Sequence, residues 1–118
     1  MDRQHLDRYI NEIYKISAEF PFESTPDSAV YRHRDNRKWF ALIMDLPLSK
    51  FIPDSKENVS AVNLKCDPLL IGSLLSEKGI YPAYHMNKTH WISVILNNET
   101  DDDKLRWLLD LSYELTKK

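Results

Sequence analysis

Only one cysteine, Cys66, stands among the 118 residues, so no internal disulfide can form. That usage suits a reducing compartment. Two glycines leave no material for a Gly-rich loop that cradles phosphate. No apolar run approaches the roughly 20 residues that a bilayer-spanning helix needs. The polar, periodic start MDRQHLDRYI has none of the apolar centre of a secretory signal. A cytoplasmic location, with no membrane association, is the expectation. A strong charge of either sign is also missing. The net charge of −2 and pI near 6.1 argue against a generic nucleic-acid coat, which is usually basic.

Metal and catalytic motifs are equally sparse. Neither CxxC nor HExxH occurs, and Cys66, His85 and His90 lack the spacing of a zinc site. The acidic run 99–103 lacks the spacing of a calcium loop and is explained by helix capping. No nucleophile–base pair stands out. Cys66 ends a strand on its core side, where a buried, inert thiol is expected. No cofactor, no metal and no enzymatic activity are therefore expected.

What is present is a foldable domain. Apolar residues make up 42% and aromatics 11%, enough to build a core in a chain of ordinary domain length. No repeat or Gly/Ser linker divides it, so residues 1–118 read as one domain. Leu6, Tyr9, Ile10, Ile13 and Ile16 recur at helical spacing over 3–18, with Asp2 as cap. Residues 28–33 and 38–45 read as strands joined through a turn at Asp35-Asn36, and 59–66 as a third strand. Asp67-Pro68 is a strong helix start. It precedes the stripe Leu70, Ile71, Leu74, Leu75, and Gly79 suits the left-handed position past the helix end. Residues 80–86 and 89–96 form a second hairpin turning at Asn87-Lys88. Thr100, with Asp103 three residues on, opens a last helix in a capping-box arrangement, with Leu105, Leu108, Leu109, Ser112 and Leu115 inward. The order α-β-β-β-α-β-β-α predicts an α+β two-layer sandwich, a five-stranded antiparallel sheet with helices packed on it.

Strand parity divides the sheet into two faces. Val62, Leu64, Cys66, Ile92, Val94 and Leu96 read as the core set. Asn63, Lys65, Trp91 and Ser93 then lie opposite. In the second strand Phe40, Leu42 and Met44 oppose Trp39, Ala41 and Ile43, and either set fits the buried side. A less covered face would carry Trp39, Asn63, Lys65 and Trp91. Three uses of that face stay open: ordinary packing, a dimer or partner interface, or a platform where bases stack on aromatics and Lys holds phosphate. Both hairpin tips are basic. One has Arg32, Arg34, Arg37 and Lys38, and the other has His85, Lys88 and His90. Basic tips suit a phosphate backbone, although many such tips are only solvated turns.

The run Asn63-Leu64-Lys65-Cys66-Asp67-Pro68, then 79–88 (GIYPAYHMNK) and His90-Trp91, resembles the bacterial MmcQ/YjbR family. Tyr31-Arg32-His33, Lys38-Trp39-Phe40 and Leu111-Ser112-Tyr113-Glu114 extend the likeness over essentially the whole chain. The resemblance implies a CyaY-like fold, related to secretion-chaperone-like domains, and a DNA-binding role without catalysis. Its two "wings" would be 34–38 and 86–89 here, with Trp39, Lys65, Tyr84 and Trp91 between them. Iron binding of the frataxin kind is not expected, because the first helix mixes Arg3, Arg8 and Lys15 with its acids. A protein-interaction or homodimerising module using the aromatic face is the alternative. A third possibility is a small anion held around Lys65, Tyr84 and His90. Convergence of Arg32, Arg34, Arg37, Lys38, Lys65 and Lys88 would favour DNA.

Overall fold

Side-chain caps fix where each helix starts. In the computed structural model, which describes residues 1–97 and 99–118, the Asp2 carboxylate accepts from the His5 N–H and opens α1 (Arg3–Tyr14). Asp67 does the same for Leu69, 2.9 Å away, at the start of α2 (Pro68–Leu74). For α3 (Asp102–Leu115) the cap is Asp101, accepting from the Lys104 N–H at 3.1 Å, and not Thr100. Thr100 is buried and directs its hydroxyl at the Ile95 carbonyl. The first helix is shorter than its periodicity predicts, because Lys15 turns left-handed at φ 59°. Ile16 is buried from beyond the helix, and Ile13 is exposed.

The five strands are β1 (Ala29–Arg32), β2 (Trp39–Pro47), β3 (Asn58–Lys65), β4 (Ile80–Pro82) and β5 (Trp91–Ile95). They form one sheet in the order β1-β2-β3-β5-β4, every neighbouring pair antiparallel. The three helices bury one face of it. Leu6 and Ile10 from α1, Ile71 and Leu74 from α2, and Leu105, Leu108 and Leu109 from α3 meet Ala41, Ile43, Val62, Leu64, Ile92 and Val94. Each fully buried Leu or Ile contributes about 1.5–3 kcal/mol. This is the predicted α+β sandwich with the predicted element order.

Two local departures follow from turn chemistry. Gly79 has the expected positive φ, +82°, but it leads into β4, several residues beyond the end of α2. The second hairpin has no tight turn at Asn87-Lys88. Instead β4 stops at Pro82 and β5 begins at Trp91, so 83–90 is a long connection with His85 at φ 58°.

A third departure explains the ambiguous parity of β2. Tyr31 pairs with Ala41 and Arg32 with Trp39, which leaves Phe40 as an extra residue. This bulge re-aims the side chains on either side of it. Phe40, Ala41 and Ile43 all join the helix-side core, whereas Trp39, Leu42 and Met44 line the far face. Neither of the two sets drawn by simple alternation is correct. The bulge also opens the β2–β3 ladder beyond Ala41–Leu64. Ser112 of α3 fills the gap: its hydroxyl donates to the Phe40 carbonyl at 2.6 Å and accepts from the Lys65 N–H at 2.9 Å. Ser112→Ala strands both backbone groups in a fully buried site. It is expected to cost about 2 kcal/mol, read as a lower urea midpoint with an unchanged slope.

Candidate functional site

The antiparallel register carries both hairpin tips to one end of the sheet. Ala41 faces Leu64, Lys65 faces Trp91, and Pro82 faces Ile92. The start of β2, the end of β3 and the start of β5 therefore lie together. On the far face Arg32 and Trp39 form one cross-strand pair and Lys65 and Trp91 another. Trp39, Lys65 and Trp91 are each half-buried.

The first tip is held firmly. Arg32 Nε lies 2.9 Å from Glu19, and Arg37 shares that carboxylate at 3.6 Å. Arg34 donates to the Lys15 carbonyl at the end of α1, and Lys38 to a backbone oxygen of Lys118 beyond α3. Cations suit helix C-termini, and the Lys15 carbonyl fixes Arg34 without cancelling its charge. Of the tip's four cations Glu19 pairs two, Arg32 and Arg37, and Asp35 is the one acid within the segment 32–38. Asn36 Nδ2 donates to the Thr116 carbonyl at 2.9 Å, and His33 Nε2 lies 2.8 Å from Thr116 Oγ1.

His33 is buried, 4% exposed. Burial holds its imidazole below the ordinary value. Lys117 acts in the same direction, against Asp35, Glu114 and a Tyr113 backbone bond. Below about pH 6.5 the unfolded chain takes up a proton that the folded imidazole resists. This contribution to stability is therefore present above that pH and lost as pH falls. Urea midpoints are expected to fall between about pH 7.5 and 5.5, with the His33 ring resonances titrating below the ordinary histidine value of about 6.5.

The second tip is pinned from beneath. Asn63 and Ser93, a cross-strand pair on the far face, are both fully buried. Asn63 Nδ2 donates to the Tyr84 carbonyl at 2.9 Å, Ser93 Oγ accepts from the Tyr84 N–H at 2.9 Å, and the Ser93 hydroxyl donates to Asn63 Oδ1. Asn63 therefore does not belong to the open platform where parity alone placed it. His85, Lys88 and His90 are exposed. Among the described residues neither Lys65 nor Lys88 makes an ion pair.

Between the tips and along β2 runs a groove of ≈ 460 Å³ that the sequence reading did not find. Its floor is Leu42, Met44 and Leu46. One wall is the loop segment bearing Phe22, Thr25 and Ser28, and the other is Tyr84, His85 and Met86. Phe22 meets Trp39 edge to face, with centroids 5.8 Å apart. Further from the tips the far face is closed by Phe51, which stacks on Tyr81 and touches Tyr84. The walls are loops without periodicity, and no pattern in the sequence marks them. Of the expected residues, Trp39, Tyr84 and His85 reach the groove, while Arg32, Lys65 and Trp91 lie at the tip end. Cys66 is buried elsewhere, its thiol pushed up by burial and by Asp67. Among the described residues no three His, Cys, Asp or Glu side chains converge on a metal-sized site. Among the described residues no helix is long and apolar enough to cross a membrane.

A family model described as YjbR matches residues 11–115. The sequence is 34% identical over 117 residues to the YyaQ protein of Bacillus subtilis (strain 168), covering 99% of each chain. It is 45% identical over 60 residues to YbdF of Escherichia coli O157:H7, 48% of each chain. A crystal structure of a Pseudomonas syringae protein is similar with a TM-score of 0.96 at 44% identity, covering 99% of this chain and 100% of that one. A Deinococcus radiodurans protein is similar with a TM-score of 0.75 at 26% identity, covering 99% and 79%.

Proposed function

The chain belongs to the YjbR family, and from that premise we propose that it is a nucleic-acid-binding module, without catalysis, that works through the tip end of its far sheet face. One observation carries the reading. Two basic tips emerge at the same end of one sheet, with Arg32, Trp39, Lys65 and Trp91 between them. Lysine and arginine there meet phosphates, and the indoles offer stacking surface. Arg34 of the first tip is fixed in place by the Lys15 carbonyl, so little of its side-chain entropy is lost when phosphate arrives.

The affinity should be modest, because the whole chain is slightly acidic. It should also depend on salt, since every neutralised phosphate releases counterions. Fluorescence-anisotropy titrations of labelled DNA from about 50 to 200 mM salt are the measurement. With four or so phosphates engaged, log K should fall with log salt at a slope of about −3 to −4. Lys65→Glu with Lys88→Glu should weaken binding by about tenfold or more and flatten that slope. No binding at the lowest salt would remove the reading.

A further inference from the structure

We infer that the groove along β2 receives an unstacked nucleobase, so that the preferred ligand is a single strand rather than a duplex; this rests on the nucleic-acid reading above. The tip end of the groove is lined by Trp39, Leu42, Met44, Tyr84 and Met86, apolar or aromatic surfaces, and its one carboxylate, Asp45, lies further along β2 and is paired with Arg3 at 3.1 Å. In a duplex the base faces are hidden in the stack, and only their edges are offered. A trough of aromatic and thioether surface is matched by exposed base faces, as in other sheet platforms for single strands.

Charge decides between a base and an apolar protein side chain. The groove opens at the end of the sheet where Arg32 is the cross-strand partner of Trp39, and where Lys65 is the cross-strand partner of Trp91. A strand whose phosphates lie along that cationic end can lower a base into the apolar trough beside it. A purely apolar segment would leave those charges unmatched. The mounting of the first tip points the same way. A wing that enters a duplex groove must project freely, yet Asn36 and His33 bind this tip to Thr116, beyond the end of α3. The surface is a platform with a slot, and a flexible single strand can follow it.

The test compares three ligands of equal length at one low salt concentration: oligothymidine, the corresponding abasic strand, and a duplex. Oligothymidine is expected to bind about tenfold more tightly than the abasic strand, the effect of one stacked base, and more tightly than the duplex. Trp39→Ala should bring oligothymidine to the abasic level. The abasic comparison on the unaltered protein stands even if that variant fails to fold. Equal binding of all three, or preference for the duplex, overturns the slot while leaving the nucleic-acid reading in place. No binding of any strand overturns both, and a dimer in sedimentation would then assign the groove to a second copy.

Discussion

Asn63→Ala is expected to cost about 3 kcal/mol of folding stability and to loosen the second wing. The Asn63 side chain is fully buried and bridges two elements that no ladder joins, the centre of β3 and the loop above it. Removing it leaves the Tyr84 carbonyl without a donor and the Ser93 hydroxyl without an acceptor. Each stranded group costs about 1–3 kcal/mol, and a small cavity adds to that. Urea unfolding gives the stability change. The functional part is separate: with Tyr84 unpinned, one wall of the groove is no longer fixed, and any preference for base-bearing strands should shrink before the salt-dependent binding does. Ser93→Ala should cost less than Asn63→Ala, because Asn63 keeps its bond to the Tyr84 carbonyl. Equal stability of Asn63→Ala and the parent would show that water replaces the amide, and that the loop is held by its apolar contacts.

Gly79→Ala is expected to be nearly as damaging, about 3 kcal/mol, for a different reason. At φ +82° a Cβ is strained, by about 1–2 kcal/mol. That Cβ would also lie 2.0 Å from Thr100 Oγ1. Thr100 is buried immediately before the Asp101 cap. Moving it disturbs the start of α3, and moving Gly79 disturbs the bond from the Ile95 N–H to the Gly79 carbonyl, 2.8 Å. Thr100→Ala should recover the steric part of the loss and leave the backbone part. A double-mutant cycle then reads a favourable coupling between the two substitutions. Additive losses would refute the contact as the cause.

The Gly79–Thr100 contact also shows what a sequence can and cannot disclose. The positive φ of Gly79 was legible, since only two glycines are present and one follows a helix. Its partner was not. Thr100 before three aspartates has every local mark of a helix cap, and long-range packing against Gly79 uses it otherwise. Local chemistry read well where it acted alone, as at Asp2 and at Asp67-Pro68. The element order and the antiparallel pairing followed from hairpin spacing. Parity worked in β3 and β5, which alternate regularly, and failed in β2, where one extra residue at Phe40 shifts every later side chain. Alternation cannot register a bulge, because the bulge is defined by the partner strand. The site divided in the same way. The basic tips and the aromatics near them were visible in the sequence, and their shared end of the sheet followed once the register was known. The groove depended on where two irregular loops come to rest. Asn63 looked like an exposed polar residue because the loop that covers it lies more than 20 residues away along the chain.

The Ser112 hydroxyl seated between Phe40 and Lys65 has a consequence for the motions of the sheet. An amide proton in a strand ordinarily exchanges with solvent when its ladder opens. The Lys65 amide is held by a helix residue instead. Its deuterium uptake therefore reports the docking of α3, while the amides of Val62 and Leu64 report the sheet itself. Because Thr116, beyond α3, also tethers the first wing, undocking of that helix would release Asn36 and His33 and break the Phe40–Lys65 bridge in a single event. Lys65, which stands at the edge of the candidate site, is thus a built-in sensor of whether the platform is assembled.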